Sequence, residues 1–165
     1  MLRLSNHEDE TMNAQMLKQE IALTITRVFD APRSLVFEVW TTPEHLVRWW
    51  GPKDFTVPAI TADFREGGAW RTCIRSPEGQ DYWAHGIYRE IVPPSRIVLT
   101  FTWEEENAMD TLITVTFEEV VGGTRLTFHQ APFPTVESRD SHAEGWGECM
   151  DRLAVYVAGQ KEAVE

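Results

Sequence analysis

RIVLTFTWEEENAMDTLITVTFEEVVGGTRLTFHQ, Arg96 to Gln130, alternates apolar and polar side chains three times over and reads as three consecutive β-strands. Ile97, Leu99, Phe101 and Trp103 share one face of the first. Ile113, Val115 and Phe117 share one face of the second, and Leu126 and Phe128 one face of the third. Glu105 to Ala108 and Gly122-Gly123 punctuate the run. Loops this short join antiparallel neighbours. Upstream, Phe55 to Phe64, Ala69 to Arg75 and Tyr82 to Val92 add three more strand signals, set off by Gly67-Gly68, Pro77-Glu78-Gly79 and Pro93-Pro94. Pro58 inside the first of these predicts an edge position or a bulge, because proline cannot donate to a ladder.

Downstream the period changes. From His142 to Ala158, Trp146, Cys149, Met150, Leu153, Tyr156 and Val157 recur at helical spacing, with Glu148, Asp151 and Arg152 opposite. Ser141 with Glu144 three residues later predicts a capping box. Gly159 suits the residue just past the end. About 17 residues rising 1.5 Å each make a rod of roughly 25 Å, long enough to cross a sheet. Gly145 and Gly147 flank Trp146 at a cost of about 1 kcal/mol each in a helix interior. Either they keep space open beside the indole, or the first turn frays.

Before the strands, Ile21 to Phe29 alternates as a further strand. Asp30 ahead of Pro32 predicts a helix to Trp40, and Thr42-Pro43-Glu44 a second one to about Trp49, ending before Gly51-Pro52. The order is therefore strand, two short helices, six strands, one long helix. That is an α+β chain in which a curved antiparallel sheet of about seven strands wraps a C-terminal helix. Residues 21–160 read as one domain, and residues 1–20, which lack periodicity, as a flexible arm.

Composition narrows the function classes. A chain of 165 residues fits one domain, and one of this size buries roughly 70% of its unfolded surface. The net charge of −11 argues against nucleic acid and anionic membrane surfaces, both of which need basic patches. No run approaches 18 apolar residues, so no membrane span is expected. The polar N-terminus lacks the apolar core of a secretory signal. Two distant cysteines, Cys73 and Cys149, suit reduced thiols in a cytoplasmic setting.

Five blocks in order carry a resemblance: FDAPRSLVFEVWTTPEHLVRWWGP (Phe29–Pro52), FREGGAWR (Phe64–Arg71), HGIYREIVPPSRIVLTFTW (His85–Trp103), VTFEEVVGGTRLTF (Val115–Phe128) and HAEGWGECMDRLAVYV (His142–Val157). They resemble the family named after the activator of the 90-kDa heat-shock-protein ATPase, within the superfamily of StAR-related lipid-transfer and birch-pollen-allergen proteins. The resemblance implies a START-like helix-grip fold. The superfamily holds ligand carriers, aromatic cyclases and other small-molecule enzymes, and a co-chaperone domain. The eukaryotic co-chaperone carries a separate N-terminal domain, for which a 20-residue arm is too short, so its activity is not carried over.

The residues show no catalytic signature. No H-E-x-x-H, C-x-x-C or His-x₃₋₅-His spacing exists, so no metal site is expected, and no cofactor is implied. His142 and Cys149 are two helical turns apart, about 10.5 Å, too far for a Cys–His pair. What stands out is aromatic material for lining a cavity between sheet and helix, since small-molecule sites are concave and mostly apolar. The expected binding residues are Trp70, Trp83, Trp103, Phe117, Trp146 and Met150. His85, His129 and Arg71 join them as polar groups whose facing depends on register. The expected ligand is a small hydrophobic or aromatic molecule. A cyclase- or hydrolase-type enzyme in the same cavity and a co-chaperone-like interaction domain are the alternatives, and a homodimer stays open.

Overall fold

The computed structural model describes residues 21–164; the arm expected over residues 1–20 lies outside the described residues. The elements follow in the order β1 (Leu23–Phe29), α1 (Arg33–Glu38), α2 (Pro43–Leu46), β2 (Thr56–Ala62), β3 (Ala69–Arg75), β4 (Asp81–Val92), β5 (Arg96–Trp103), β6 (Thr111–Val120), β7 (Gly123–Ala131) and α3 (Val136–Val164). The strands form one sheet, ordered β1-β7-β6-β5-β4-β3-β2, with every neighbouring pair antiparallel. Hairpins build β2 through β7 in sequence. The first strand crosses the molecule to pair with the last, so the two short helices span from one sheet edge to the other. Pro58 sits on the edge strand β2, where the β2–β3 register shifts between Thr56 and Ala59.

The faces alternate as strand geometry requires. Ile97, Leu99, Phe101, Ile113, Val115, Phe117, Leu126 and Phe128 are all buried on the concave side. Met150, Leu153 and Val157 of α3 are buried with them in one continuous core. Trp40, Trp49 and Trp50 close the core under the short helices, with the Trp40 and Trp49 rings 4.6 Å apart and the Trp49 indole donating to Val39 O at 3.0 Å.

All three helices depart from the expected boundaries. The last helix begins six residues earlier than His142 and spans 29 residues, about 43 Å. Thr135 does the capping: its Oγ accepts from the Ser138 N–H at 3.0 Å, and its carbonyl accepts from Arg139 N at 3.1 Å. Ser141 is interior. The helix also runs through Gly159, which is exposed and meets nothing a Cβ would touch. A glycine there costs only about 1 kcal/mol, and Lys161 pins the last turns to Asp30 at 3.1 Å. Asp30 is thereby used as an ion-pair partner, and Pro32 occupies the N-cap position of α1. The second short helix is a single turn, Pro43 to Leu46, continued by turns to Trp50.

Candidate functional site

The first half of α3 does not pack flush against the sheet. Gly145 places no side chain toward the strands, and a Cβ built on it would meet only Pro52 Cγ, at 3.6 Å. Large rings on either side prop the layers apart. The result is a cavity of about 360 Å³ between β3–β5, the Trp50–Phe55 loop and α3. That size lies at the small end of known small-molecule sites. Its walls are aromatic. Trp103 stands 5.1 Å from Phe101 and 6.5 Å from Tyr82, Tyr82 stands 6.3 Å from Phe55, and Trp146 stands 5.2 Å from Trp50. Ile74, Gly51, Pro52 and Cys149 complete the apolar part; Ser141, His142 and Glu105 provide the polar atoms.

Two hydrogen-bond chains hold these walls. Trp146 donates from Nε1 to Gln130 Oε1 at 2.8 Å; Gln130 Nε2 donates to Thr111 Oγ1 at 2.9 Å; Thr111 donates to Phe101 O at 2.7 Å. Gln130 is fully buried, so this chain satisfies a group that would otherwise be costly to desolvate. It joins α3, β7, β6 and β5 through one side-chain path. In the second chain, Trp103 Nε1 donates to His142 Nε2 at 2.8 Å, while His142 Nδ1 lies 2.7 Å from Ser138 O. A carbonyl only accepts, so Nδ1 carries the proton and Nε2 is the acceptor. Both imidazole nitrogens are therefore committed, and the ring is a neutral spacer at the cavity edge.

The residues singled out in the sequence separate into groups. Trp103 and Trp146 line the cavity. Met150 and Phe117 are buried in the core below it, and Trp70 borders a void of about 20 Å³ deeper in, with its indole donating to Thr100 O at 3.1 Å. Trp50 stands between the two spaces, 6.2 Å from Trp70. Arg71, Trp83 and His85 lie on the convex face, away from the cavity. On β3 and β4 the row Trp70, Thr72, Ile74, Ala84, Gly86 and Tyr88 is buried apart from exposed Tyr82, whereas Arg71 and His85 of the alternate row are exposed and Trp83 is half-buried; Cys73 is the buried member of that outer row. His129 also faces out, with Nδ1 3.0 Å from Thr24 Oγ1 on the paired strand. Gly147 faces Arg27 rather than the cavity, so only Gly145 of the pair borders the space. Arg152, expected on the solvent side, is half-buried, and its Nη1 donates to Trp50 O, Gly51 O and Pro52 O at 3.0–3.1 Å.

The convex residues form a cluster of their own. Glu104 accepts two bonds from Arg71 at 2.8 Å and one from His85 Nδ1 at 3.1 Å. The Arg71 guanidinium lies 3.9 Å above the Trp83 ring. The Arg71 hydrogen bonds, then those of His85, hold the Glu104 carboxyl at about 2, well below the usual carboxylate range. On the concave side, burial pushes the Cys149 thiol up to about 12. Burial also raises Cys73, and both thiols are free. A larger hollow of about 750 Å³ lies outside the core between α2 and α3. Arg48, Lys53, Glu148 and Asp151 border it, and it lacks the desolvated apolar wall of the inner cavity.

Sequence reasoning missed Phe55, Tyr82 and Gln130, and weighed His142 only as a partner for cysteine. Tyr82 was legible: it shares strand parity with Ala84 and Gly86. Gln130 shares parity with Leu126 and Phe128, and a glutamine in a buried row signals a buried polar partner.

Among known proteins, the model of the family described as Activator of Hsp90 ATPase homolog 1-like protein matches residues 30–158. A solved structure from Chromobacterium violaceum is 27% identical with a TM-score of 0.78, covering 83% of this chain and 96% of that one. One from Nitrosomonas europaea is 26% identical with a TM-score of 0.73, covering 87% and 97%. One from Silicibacter pomeroyi, whose description carries the same family name, is 25% identical with a TM-score of 0.76, covering 84% and 99%. No curated protein matches. Among the described residues, no helix is long and apolar enough to cross a membrane.

Proposed function

The chain belongs to the Activator of Hsp90 ATPase homolog 1-like family, and we propose that it binds a small apolar or aromatic molecule in the cavity between β3–β5 and the first half of α3. The observation that carries this reading is the wall itself: six aromatic residues around about 360 Å³, with few polar side chains among them. A packed domain fills its interior to crystal-like density, so a space of this size bounded by rings is a recognition feature more than a packing fault. The two committed nitrogens of His142 favour binding over proton transfer, because neither is free to act as acid or base.

N-phenyl-1-naphthylamine, a neutral apolar probe whose emission rises in dry surroundings, tests the reading. Saturable binding at one site is expected for the native protein. Gly145→Leu puts a side chain into the cavity against Pro52 and should weaken it, while the melting temperature stays close to the parent's. Absence of binding by both the free protein and protein stripped by denaturing extraction would sink the proposal, as would equal binding by Gly145→Leu.

A further inference from the structure

The charge pattern around the cavity says which ligands suit it. Among the described residues, Glu105 is the only charged one on its lining. Its side chain makes no ion pair among the described residues, whereas the adjacent Glu104 is paired with Arg71 and hydrogen-bonded by His85. Glu106 and Asp110 sit on the same β5–β6 loop, both exposed. Among the described residues no lysine or arginine borders the space. Arg152, behind the wall, turns Nη1 into three backbone carbonyls, and its side chain borders the outer hollow between α2 and α3. The one histidine is held in its neutral tautomer by Ser138 and Trp103. Six aromatic rings line the space: Trp50, Phe55, Tyr82, Phe101, Trp103 and Trp146. The face of an aromatic ring carries negative potential and attracts cations, most strongly where water is excluded. The net charge of −11 adds a long-range field of the same sign.

From this arrangement we propose that the ligand is an organic cation. Its aromatic or alkyl body would lie among the rings, and its amine or quaternary ammonium group would face Glu105. An anionic molecule of the same shape would meet aromatic rings and a carboxylate, with no lysine or arginine among the described lining residues to compensate. This inference rests on the reading that the cavity is the ligand site.

Three probes of matched shape separate the two claims: trimethylphenylammonium, its neutral isostere tert-butylbenzene, and benzenesulfonate. Titrations of the wild-type protein are followed by the indole N–H resonances of Trp103 and Trp146. The cation is expected to bind about fivefold more tightly than the neutral isostere, the scale of one partly desolvated cation–π contact. The sulfonate should be weakest. In Glu105→Gln, the ratio of cation to tert-butylbenzene affinity should shrink by about half or more. Glu105 is exposed and its side chain supports no other group, so that variant is expected to fold. Equal or tighter binding of the neutral isostere would overturn the inference and leave the apolar site standing. An unchanged preference in Glu105→Gln would also overturn it. Binding of none of the three would remove both readings together.

Discussion

Strands β3, β4 and β5 present two surfaces made from alternate residues of the same segments, and the two obey different physics. On the concave side Trp70, Phe101 and Trp103 meet α3 and the short helices, and what they contribute scales with area removed from water. On the convex side Arg71, Trp83, His85 and Glu104 meet one another in the presence of solvent, and water screens most of what their charges could add. A shift of one residue separates the two regimes. Stability and the cavity belong to the first surface, and local charge order belongs to the second.

The largest test of that contrast is Trp146→Ala. The ring is 8% exposed and anchors the buried chain to Gln130. Losing it should cost about 3–5 kcal/mol, the usual price of a buried large-to-small change. In a domain of this size that lowers the melting temperature by roughly 10 °C. A change of only a couple of degrees would show that the concave wall is not held by burial.

Gly86→Ala sharpens the parity argument. A Cβ on Gly86 would lie 1.8 Å from Thr100 O and 2.6 Å from Trp70 Nε1, because the indole crosses directly over the glycine to reach that carbonyl. Strain of about 1–3 kcal/mol is expected. The adjacent convex substitution His85→Ala should shift a urea unfolding midpoint far less. Similar shifts for the two would contradict the assignment of faces.

Gly145→Leu changes the cavity without touching the convex pairs. Binding of a neutral probe should weaken about tenfold, equivalent to roughly 1.4 kcal/mol, with little change in stability. Native Cys149 should resist Ellman's reagent at pH 8, since burial holds its thiol near 12 and only the thiolate attacks. Rapid labelling in the folded state would mean that the wall below the cavity opens.

Glu104→Gln is the smallest effect. The folded-state pKa of about 2 lies below the ordinary value of 4.5, so ionised Glu104 stabilises the fold above the unfolded value. That contribution is lost as the pH falls through the folded value. The wild type should therefore exceed Glu104→Gln by about 2 °C near neutrality, a surface-pair magnitude. The difference should vanish between about pH 4.5 and 2. A constant difference across that window would show that the carboxylate's charge plays no part.

Element order was readable because each element repeats a local rule many times. Ile97 to Trp103 alternate over several residues, and Trp146 to Val157 keep helical spacing over three turns. One atypical residue does not hide such a period. Boundaries were less legible. Thr135 and Ser141 are both competent caps, and the helix starts after Thr135, whose hydroxyl accepts from Ser138 N–H, with Phe133 just before it buried against the His142 ring. Arg152 looked solvent-facing on a helical wheel, yet the loop carbonyls of Trp50, Gly51 and Pro52 arrive beside it from a hundred residues away.

The sequence by itself determined the α+β class, the seven strands, the final helix and the inward rows of β5, β6 and β7, since periodicity and turn chemistry are properties of short segments. Only the tertiary structure decided that Arg71, Trp83, His85 and His129 face outward, and that Phe55, Tyr82 and His142 meet Trp103 and Trp146 around a shared space. A cavity is the volume left between layers after packing. It depends on register, sheet curvature and helix placement together, and no single segment of the chain encodes any of the three.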